Sequence, residues 1–372
     1  MADCSGSNSS GVCFMKKPSG QFTSIGGQAV IEGVMMRSPH FIAVAVRRSN
    51  QRIVIRSFPF FGVAQKFPFL RKPILRGVVT LVESMVQGID ALSYSANIAV
   101  DSEEKGEDLS ALAITGSILS ALVLGMGLFV ALPHFLAAMV TSSKAIHLTA
   151  QSPVFHLVDG ALKITILLIY VYLIALMKDI HRVFQYHGAE HKSIYAFESG
   201  VDLTVENAKK FSTLHPRCGT SFLLFLVLIS VGVFSAVFPL FQLTSLFAQP
   251  FLNHLFMVVV KMVLMLPIAG ISYEFIKACS FRMENPLFKV LIWPGLMLQK
   301  LTTREPTDDQ LEVALASLRQ VLRLEKGQEI LPDKSANDKV AHDKSAKKME
   351  IEIAQLSELK PVMAQVAEFP EA

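Results

Sequence analysis

The side chains best suited to chemistry lie in one polar segment, residues 178–220, between two long apolar stretches. His187 and His191 are four residues apart, so on a helix both imidazoles would share one face and could chelate a single divalent ion. Glu190 follows His187 by three residues and reaches the same face. The spacing predicts a metal site in this segment. Its reactive residues are His181, His187, Glu190, His191, Glu198, His215 and Cys218.

Residues 187–191 read His-Gly-Ala-Glu-His and match the short H-x-x-E-H signature, in which two histidines hold zinc and the glutamate activates a water. A catalytic zinc normally takes a third protein ligand and keeps one position open. We expect His215 to be that ligand, because His215-Pro-Arg-Cys218 returns the chain to the next apolar stretch. Cys218 as a fourth ligand would close the site and make it structural, and Glu198 and Glu274 are further candidates.

The same residues also allow a purely structural role. Histidines near a membrane interface often only hydrogen-bond to neighbouring helices, and Glu190 could pair with Lys192 or Arg217. The sequence leaves both interpretations open.

Four long apolar stretches dominate the rest of the chain, at residues 112–140, 155–177, 221–247 and 252–276. A helix needs roughly 20 residues to cross the hydrocarbon core of a bilayer, and each stretch is long enough. Residues 106–300 are therefore expected to form a membrane domain. The predicted fold class is mainly α, a polytopic helical membrane protein.

The positive charges predict an orientation, because Lys and Arg near helix ends favour the cytoplasmic side. Only Lys144 lies between the first two spans, and the link between the third and fourth has none. We expect a bacterial inner-membrane protein with loop 178–220 and both termini in the cytoplasm. The charges on that side include Arg182, Lys192, Lys209, Lys210, Arg217, Lys277, Arg282, Lys289 and Lys300.

Ionisable residues inside the apolar stretches are functional candidates by default. Lys261 lies midway along the fourth span and His134 follows Pro133 in the first, which raises transport as a third function class. Lys261 could equally pair with His134 or a helix carbonyl. Lys163 is expected to snorkel. Without an evident internal repeat, transport is less favoured.

The segments outside the membrane domain have distinct predicted structures. Residues 1–22 read as a disordered leader, 23–105 as a β-hairpin with an amphipathic helix, 301–327 as a cytoplasmic helix and 328–372 as a disordered charged tail. Residues 26–33 read as a turn. The hairpin strands are 41–46 and 53–58, and the helix from Leu75 either covers them or lies on the membrane surface. Thr307 and Gln310 have capping-box spacing.

The net charge and the positions of the cysteines argue against several classes of protein. The net charge of +4 is small and dispersed, so direct nucleic-acid binding is not expected. The four cysteines form no CxxC pair, which argues against a disulfide framework or a zinc ribbon. The bilayer is the partner that the composition, 51% hydrophobic, indicates most directly.

Five segments of the chain, taken in order, carry a family resemblance. They are Gly26-Gly-Gln-Ala-Val-Ile-Glu-Gly-Val-Met-Met-Arg37, Leu75-Arg-Gly-Val-Val, Tyr186-His-Gly-Ala-Glu-His191, His215-Pro-Arg-Cys-Gly-Thr220, and Pro294-Gly through Leu301-Thr-Thr-Arg-Glu-Pro306. Over roughly residues 24–325 the chain resembles the YqhQ-like group of bacterial membrane proteins, a domain of unknown function often labelled a predicted metal-dependent enzyme. The resemblance implies a metal but no substrate, and genes of the group often neighbour translation genes.

Two function hypotheses follow. The first is a divalent-metal protein, with zinc as the expected cofactor, that acts as a hydrolase with Glu190 as general base. The second is a non-catalytic membrane factor that engages the ribosome or the membrane-protein insertion machinery.

Overall fold

The computed structural model describes residues 25–99, 111–141, 152–241, 248–283, 285–327 and 349–359. Over these residues the protein is mostly helical, with an antiparallel sheet formed largely by the N-terminal segment. Four helices are long and apolar enough to cross a membrane, which confirms the predicted class and indicates a membrane location. The predicted leader, and most of the charged tail, lie outside the described residues.

The secondary structure follows a simple order. The strands are β1 (Gly26–Val30), β2 (Gly33–Arg37), β3 (Phe41–Arg47), β4 (Ile53–Pro59) and β5 (Met349–Ile353). The helices are α1 (Val63–Lys66), α2 (Leu75–Ala99), α3 (Ala111–Met126), α4 (Leu132–Thr141), α5 (Pro153–Ala175), α6 (Lys178–Glu198), α7 (Val205–Ala208), α8 (Gly219–Phe241), α9 (Pro250–Phe281), α10 (Pro286–Thr302) and α11 (Asp308–Glu325). Short 3₁₀ turns occupy Pro68–Arg71 and Leu356–Glu358, and a π-turn occupies Gly127–Ala131.

The sheet is a meander of order β1-β2-β3-β4-β5 with helices on both faces. Val34 and Met36 of β2 pack into a core with α6 and α11. Met35, which points the opposite way as successive strand residues do, packs into a core with Ala91 of α2. The central strands are apolar on both faces because both faces are covered.

The predicted hairpin of β3 and β4 is confirmed, but two other predictions about strands were wrong. Residues 26–33 were expected to be a turn, whereas they form β1 and the start of β2 around the two-residue turn at Ile31 and Glu32. Glu32 has a positive φ of 50° there. The tail was expected to be disordered, yet its alternating Met-Glu-Ile-Glu-Ile segment pairs with β4 as β5.

Helix α2 covers the sheet, as one of the two alternatives predicted. Its C-terminal half packs Ala91, Tyr94 and Ile98 on the sheet. Its N-terminal half lies against α9, where an added Cβ at Gly77 would be 3.0 Å from the Gly270 backbone. The helix therefore connects the sheet to the membrane-spanning bundle.

The four candidate spans are Leu119–Thr141, Pro153–Ala175, Gly219–Phe241 and Phe251–Phe281. The first is interrupted by the π-turn just before Pro133, a residue that cannot donate a helical hydrogen bond. Strand β4 precedes the spans and β5 follows them, and the two strands pair. If all four candidate spans cross a membrane, both strands lie on the same side of it.

The capping box predicted at Thr307 and Gln310 is confirmed at the start of α11. The prediction that Lys163 snorkels was wrong: its side chain is buried, and its Nζ donates to Asp159 Oδ2 over 2.9 Å. Desolvated ammonium groups persist in proteins when a carboxylate partner is available, and Asp159 supplies one here.

Candidate metal centre

Helix α6 carries most of the predicted site residues. Its apolar residues Tyr186, Ala189, Ile194 and Phe197 pack into the core below the sheet. This packing fixes the rotation of the helix, so His187 and His191 face the loop at residues 213–220 and the end of α10.

Three of the predicted ligands meet at one point. The metal-binding atoms of His187, His191 and Cys218 all lie within 4.8 Å of one another. His187 Nε2 is 3.2 Å from Cys218 Sγ, and the two imidazole rings are 4.4 Å apart between centroids. His191 and Cys218 are buried, and His187 is half-buried.

Backbone carbonyls orient both imidazoles of the cluster. His187 Nδ1 lies 2.9 Å from the Thr302 carbonyl oxygen, and His191 Nδ1 lies 2.5 Å from the Thr213 carbonyl oxygen. A carbonyl can only accept, so each Nδ1 carries the proton and donates it. Each Nε2 is therefore unprotonated and has a lone pair to offer, which is the arrangement of a metal-binding histidine.

The sulfur of Cys218 accepts a hydrogen bond. Burial would raise the pKa of Cys218, but the neighbouring His191 ring and the hydrogen bonds with Thr220 lower it below its usual value. The Thr220 backbone N–H donates to Sγ over 3.4 Å. Thiolate is the form in which cysteine binds metals.

Glu190 lies on the same helix but outside the three-ligand cluster. Burial raises the pKa of its carboxyl group to about 8, against a smaller lowering effect of His187. The space for its side chain comes from Gly27 of β1, where an added Cβ would be 2.7 Å from Glu190 Cγ. Within the described part of the chain, no hydrogen bond or ion pair is made by this carboxyl group.

His215 is adjacent to the cluster without being part of it. Its ring contacts that of His191 at 5.6 Å between centroids, and its Nε2 lies 3.5 Å from Glu198 Oε2. Burial lowers the pKa of His215 to about 4. Glu198 also pairs with Arg217.

The alternative partners proposed for Glu190 are engaged elsewhere. Lys192 Nζ donates to Glu305 Oε1 over 2.5 Å, and Arg217 pairs with Glu198. Glu274, another candidate ligand, pairs with Arg76 and does not approach the cluster.

Sequence reasoning missed the residues that hold the cluster together. Gln299 of α10 accepts from the His215 N–H over 2.8 Å and donates to the His215 carbonyl over 2.8 Å, which fixes the loop ahead of Cys218. Gly188 lets the chain after α10 cross α6, since an added Cβ would be 2.1 Å from the Arg304 carbonyl oxygen. In the sequence, only the glycine between His187 and Ala189 indicated that another segment passes close to α6 at this point.

Fold and cluster together define a polytopic helical membrane protein with a His-Cys cluster beside an antiparallel sheet. The chain belongs to the family described as protein of unknown function (DUF1385), whose model matches residues 72–324. It is 33% identical over 317 residues to "Uncharacterized protein YqhQ" of Bacillus subtilis (strain 168), covering 81% of this chain and 92% of that protein. The predicted resemblance is thus confirmed. No solved structure matches the chain.

Proposed function

We propose that the protein binds one divalent metal ion, with zinc the first candidate, through His187, His191 and Cys218. The observation that carries this proposal is the convergence of their three ligand atoms within 4.8 Å, with both imidazoles oriented by backbone carbonyls. Histidines that serve only packing have no need of ligand atoms held this close to each other and to a thiol.

The distances and the donor types suit zinc. In a tetrahedral zinc site a histidine nitrogen and a cysteine sulfur lie roughly 3.5 Å apart, from their usual bond lengths. The distance from His187 Nε2 to Cys218 Sγ is 3.2 Å. Thiolate and imidazole together select zinc over the harder magnesium and calcium ions.

We further propose a hydrolase whose general base is Glu190. Three protein ligands leave one position of a tetrahedral ion open, and a zinc ion there would supply Lewis acidity and an activated water. Glu190 adjoins the cluster and makes no hydrogen bond or ion pair within the described residues. Because burial raises the pKa of its carboxyl group to about 8, it takes a proton as general base in its ionised form, in mildly alkaline solution. Peptides and esters at the membrane surface are the proposed substrate class.

His215 decides between an open and a closed site. If its imidazole also binds the metal, the shell has four protein ligands and the site is structural. The proposed location is the bacterial inner membrane with the sheet and the cluster on the cytoplasmic side, in keeping with the distribution of Lys and Arg.

The test is elemental analysis of the detergent-purified full-length protein and its variants. The parent should contain near-stoichiometric zinc, and His191→Ala should lose it. His181→Ala is the matched control, because His181 is an exposed histidine on the same helix. His215→Ala should retain the metal if the site is open, and Glu190→Gln should retain the metal but lose hydrolysis of peptides or esters.

A parent without bound metal after purification in chelator-free buffer, and after incubation with zinc, would contradict the proposal. The non-catalytic factor that engages translation or insertion machinery would then be the better hypothesis. Equal metal loss in His181→Ala and His191→Ala would also count against the cluster.

A further inference from the structure

A second group of ionisable side chains lies inside the spans, remote from the His-Cys cluster. Asp159 of α5, Lys261 of α9 and His134 of α4 are each at most 1% exposed. They lie toward the ends of the spans at Thr141, Pro153 and Pro250. The two histidines of the His-Cys cluster are on α6, which follows the opposite end of α5 at Ala175.

The group forms a continuous line of hydrogen bonds. Asp159 Oδ2 accepts from Lys163 Nζ at 2.9 Å and from Lys261 Nζ at 2.6 Å. Lys261 Nζ lies 3.0 Å from His134 Nδ1, and His134 Nε2 lies 3.1 Å from His254 Nδ1. His254 is half-buried near the start of α9, so the line runs from the end of the bundle to its buried interior.

His134 is hydrogen-bonded through both of its ring nitrogens, and His254 is hydrogen-bonded through Nδ1. A residue that passes a proton needs one nitrogen to receive it and another to release it. An imidazole can accept a proton on one ring nitrogen and release another from the second. The contacts that join Lys261, His134 and His254 link nitrogens that can donate or accept, so these hydrogen bonds can reverse direction.

The charges of the group do not balance if all its members are ionised. Two ammonium groups meet one carboxylate, and α8, which packs beside them, has no titratable side chain. An unpaired charge in the membrane interior is costly. The neutral composition of the group is therefore one carboxylate, one ammonium and one uncharged amine, and that amine is a proton acceptor.

Other nearby groups favour the state in which Lys261 carries its proton. The Lys261 ammonium nitrogen lies 5.5 Å from the Phe155 ring centroid and 5.4 Å from that of Phe234, where cation–π attraction stabilises a charge. Among the described residues, both ring nitrogens of His156 and the Asp159 Oδ1 atom are buried without a hydrogen-bond partner, so the interior has unused capacity to bind protons.

We propose that His254 and His134 form a proton relay that loads and unloads Lys261 beside Asp159, and that the spans thereby bind a proton taken from the Pro250 end of the bundle. His254 Nε2 takes a proton from water while its Nδ1 proton passes to His134 Nε2. His134 releases its Nδ1 proton to the uncharged amine of Lys261. The products are an ammonium paired with Asp159 and two neutral imidazoles, and the reverse transfers release the proton.

The relay is tested with the full-length protein in lipid nanodiscs, in lightly buffered, mildly alkaline solution with a pH-indicator dye. A laser pulse releases protons from a caged acid, and the dye reports how many protons each chain takes up and how fast. The parent should take up about one more proton per chain than Lys261→Arg, because arginine stays charged yet keeps the partner for Asp159.

Two further variants separate the relay from a purely structural network. Lys289→Arg makes the same change at an exposed lysine and should take up as many protons as the parent. His134→Gln keeps a hydrogen-bonding side chain but passes no proton, so uptake should reach the same final count roughly a hundredfold more slowly. Identical counts in the parent and Lys261→Arg, or an unchanged rate in His134→Gln, would overturn the proposal.

A measurement on the parent alone does not depend on how the variants fold. In ¹⁵N spectra of lysine-labelled protein, an uncharged amine is distinct from an ammonium. An uncharged amine should be present in mildly alkaline solution and disappear on acidification. A spectrum that contains only ammonium signals at the alkaline end would contradict the charge balance on which the relay depends.

Discussion

Gly27 of β1 lies directly against the side chain of Glu190 of α6: a Cβ added at residue 27 would be 2.7 Å from Glu190 Cγ and 2.9 Å from its Oε1. The sheet therefore shapes the space in which the proposed general base sits. The contact joins the segment Gly26–Arg37 to the segment Tyr186–His191, which are far apart in sequence.

Replacing Gly27 with Ala should displace Glu190 and destabilise the protein by about 1–3 kcal/mol, the usual cost of overpacking a core. Metal content should be kept, because the three ligands do not contact residue 27, whereas hydrolytic activity should fall. Thermal unfolding in detergent and elemental analysis measure the two effects. Gly26→Ala is the matched control, since its added Cβ meets no atom within 4 Å. Equal melting temperatures for the two variants would contradict the prediction.

Gly188→Ala should weaken metal binding about 10–100-fold, the range expected when a group that orients a ligand is lost. The added methyl group would collide with the Arg304 carbonyl and displace the segment that also carries the Thr302 carbonyl, which accepts from His187. Competition with a chromogenic chelator measures the affinity. Gly219→Ala, next to Cys218 but with open space around its Cβ, should bind metal like the parent.

Gln299→Leu should destabilise the protein by about 1–3 kcal/mol for each buried backbone group of His215 that loses its partner. Gln299 is fully buried and also donates to Ser221 Oγ over 2.7 Å. The loop ahead of Cys218 should loosen as a result, with a loss of metal affinity. Unfolding experiments and chelator competition provide the readouts, with Lys300→Gln at the exposed neighbouring position as control. A variant as stable as the parent would show that the loop is held by other contacts.

Ile353→Ala should destabilise the sheet by about 2–5 kcal/mol, as expected for a large aliphatic side chain removed from a core. Ile353 is 4% exposed and pairs with Ile53 across the β4–β5 ladder. Limited proteolysis should cut the tail of this variant faster than the tail of the parent. Gln355→Ala changes an exposed residue just beyond the strand and should leave the rate unaltered. Identical cleavage of all three proteins would argue that β5 contributes no stability.

The orientation predicted from the positive charges can be measured by cysteine labelling in a background with Ser at positions 4 and 13. Gln249→Cys, at the start of α9, should react with a membrane-impermeant maleimide in intact cells. Ser357→Cys, which follows β5, should react only after permeabilisation. The reverse pattern would place the sheet and the His-Cys cluster outside the cytoplasm.

Helical spacing was sufficient to predict that His187 and His191 share a face, because the geometry of one helix is local. The arrangement of Cys218 and His215 was not predictable in the same way. Their loop is held by Gln299, which lies 84 residues from His215 in sequence. The contact that places Cys218 rather than His215 beside His187 is therefore non-local, and no pattern within the loop encodes it.

The spans were also predictable, since length and apolar content are local properties. The strands β1 and β2 were missed because both faces of the sheet are covered, which removes the alternation of polar and apolar residues that usually marks a strand. Asp159 was overlooked as the partner of Lys163 and Lys261. Asp159 precedes Lys163 by four residues on α5, and this spacing could have predicted the ion pair.

The fifth strand has a consequence for the order in which the molecule is made. A ribosome synthesises residues 26–59 before residues 349–353, with the four candidate spans between them. The edge of β4 therefore stays unpaired while the whole membrane domain is inserted, and unpaired strand edges are prone to aggregate. The sheet can be completed only after every span has been inserted. A chain that stalls, or that inserts one span too few, keeps the edge of β4 unpaired. Quality-control proteases could recognise such a chain by this open edge.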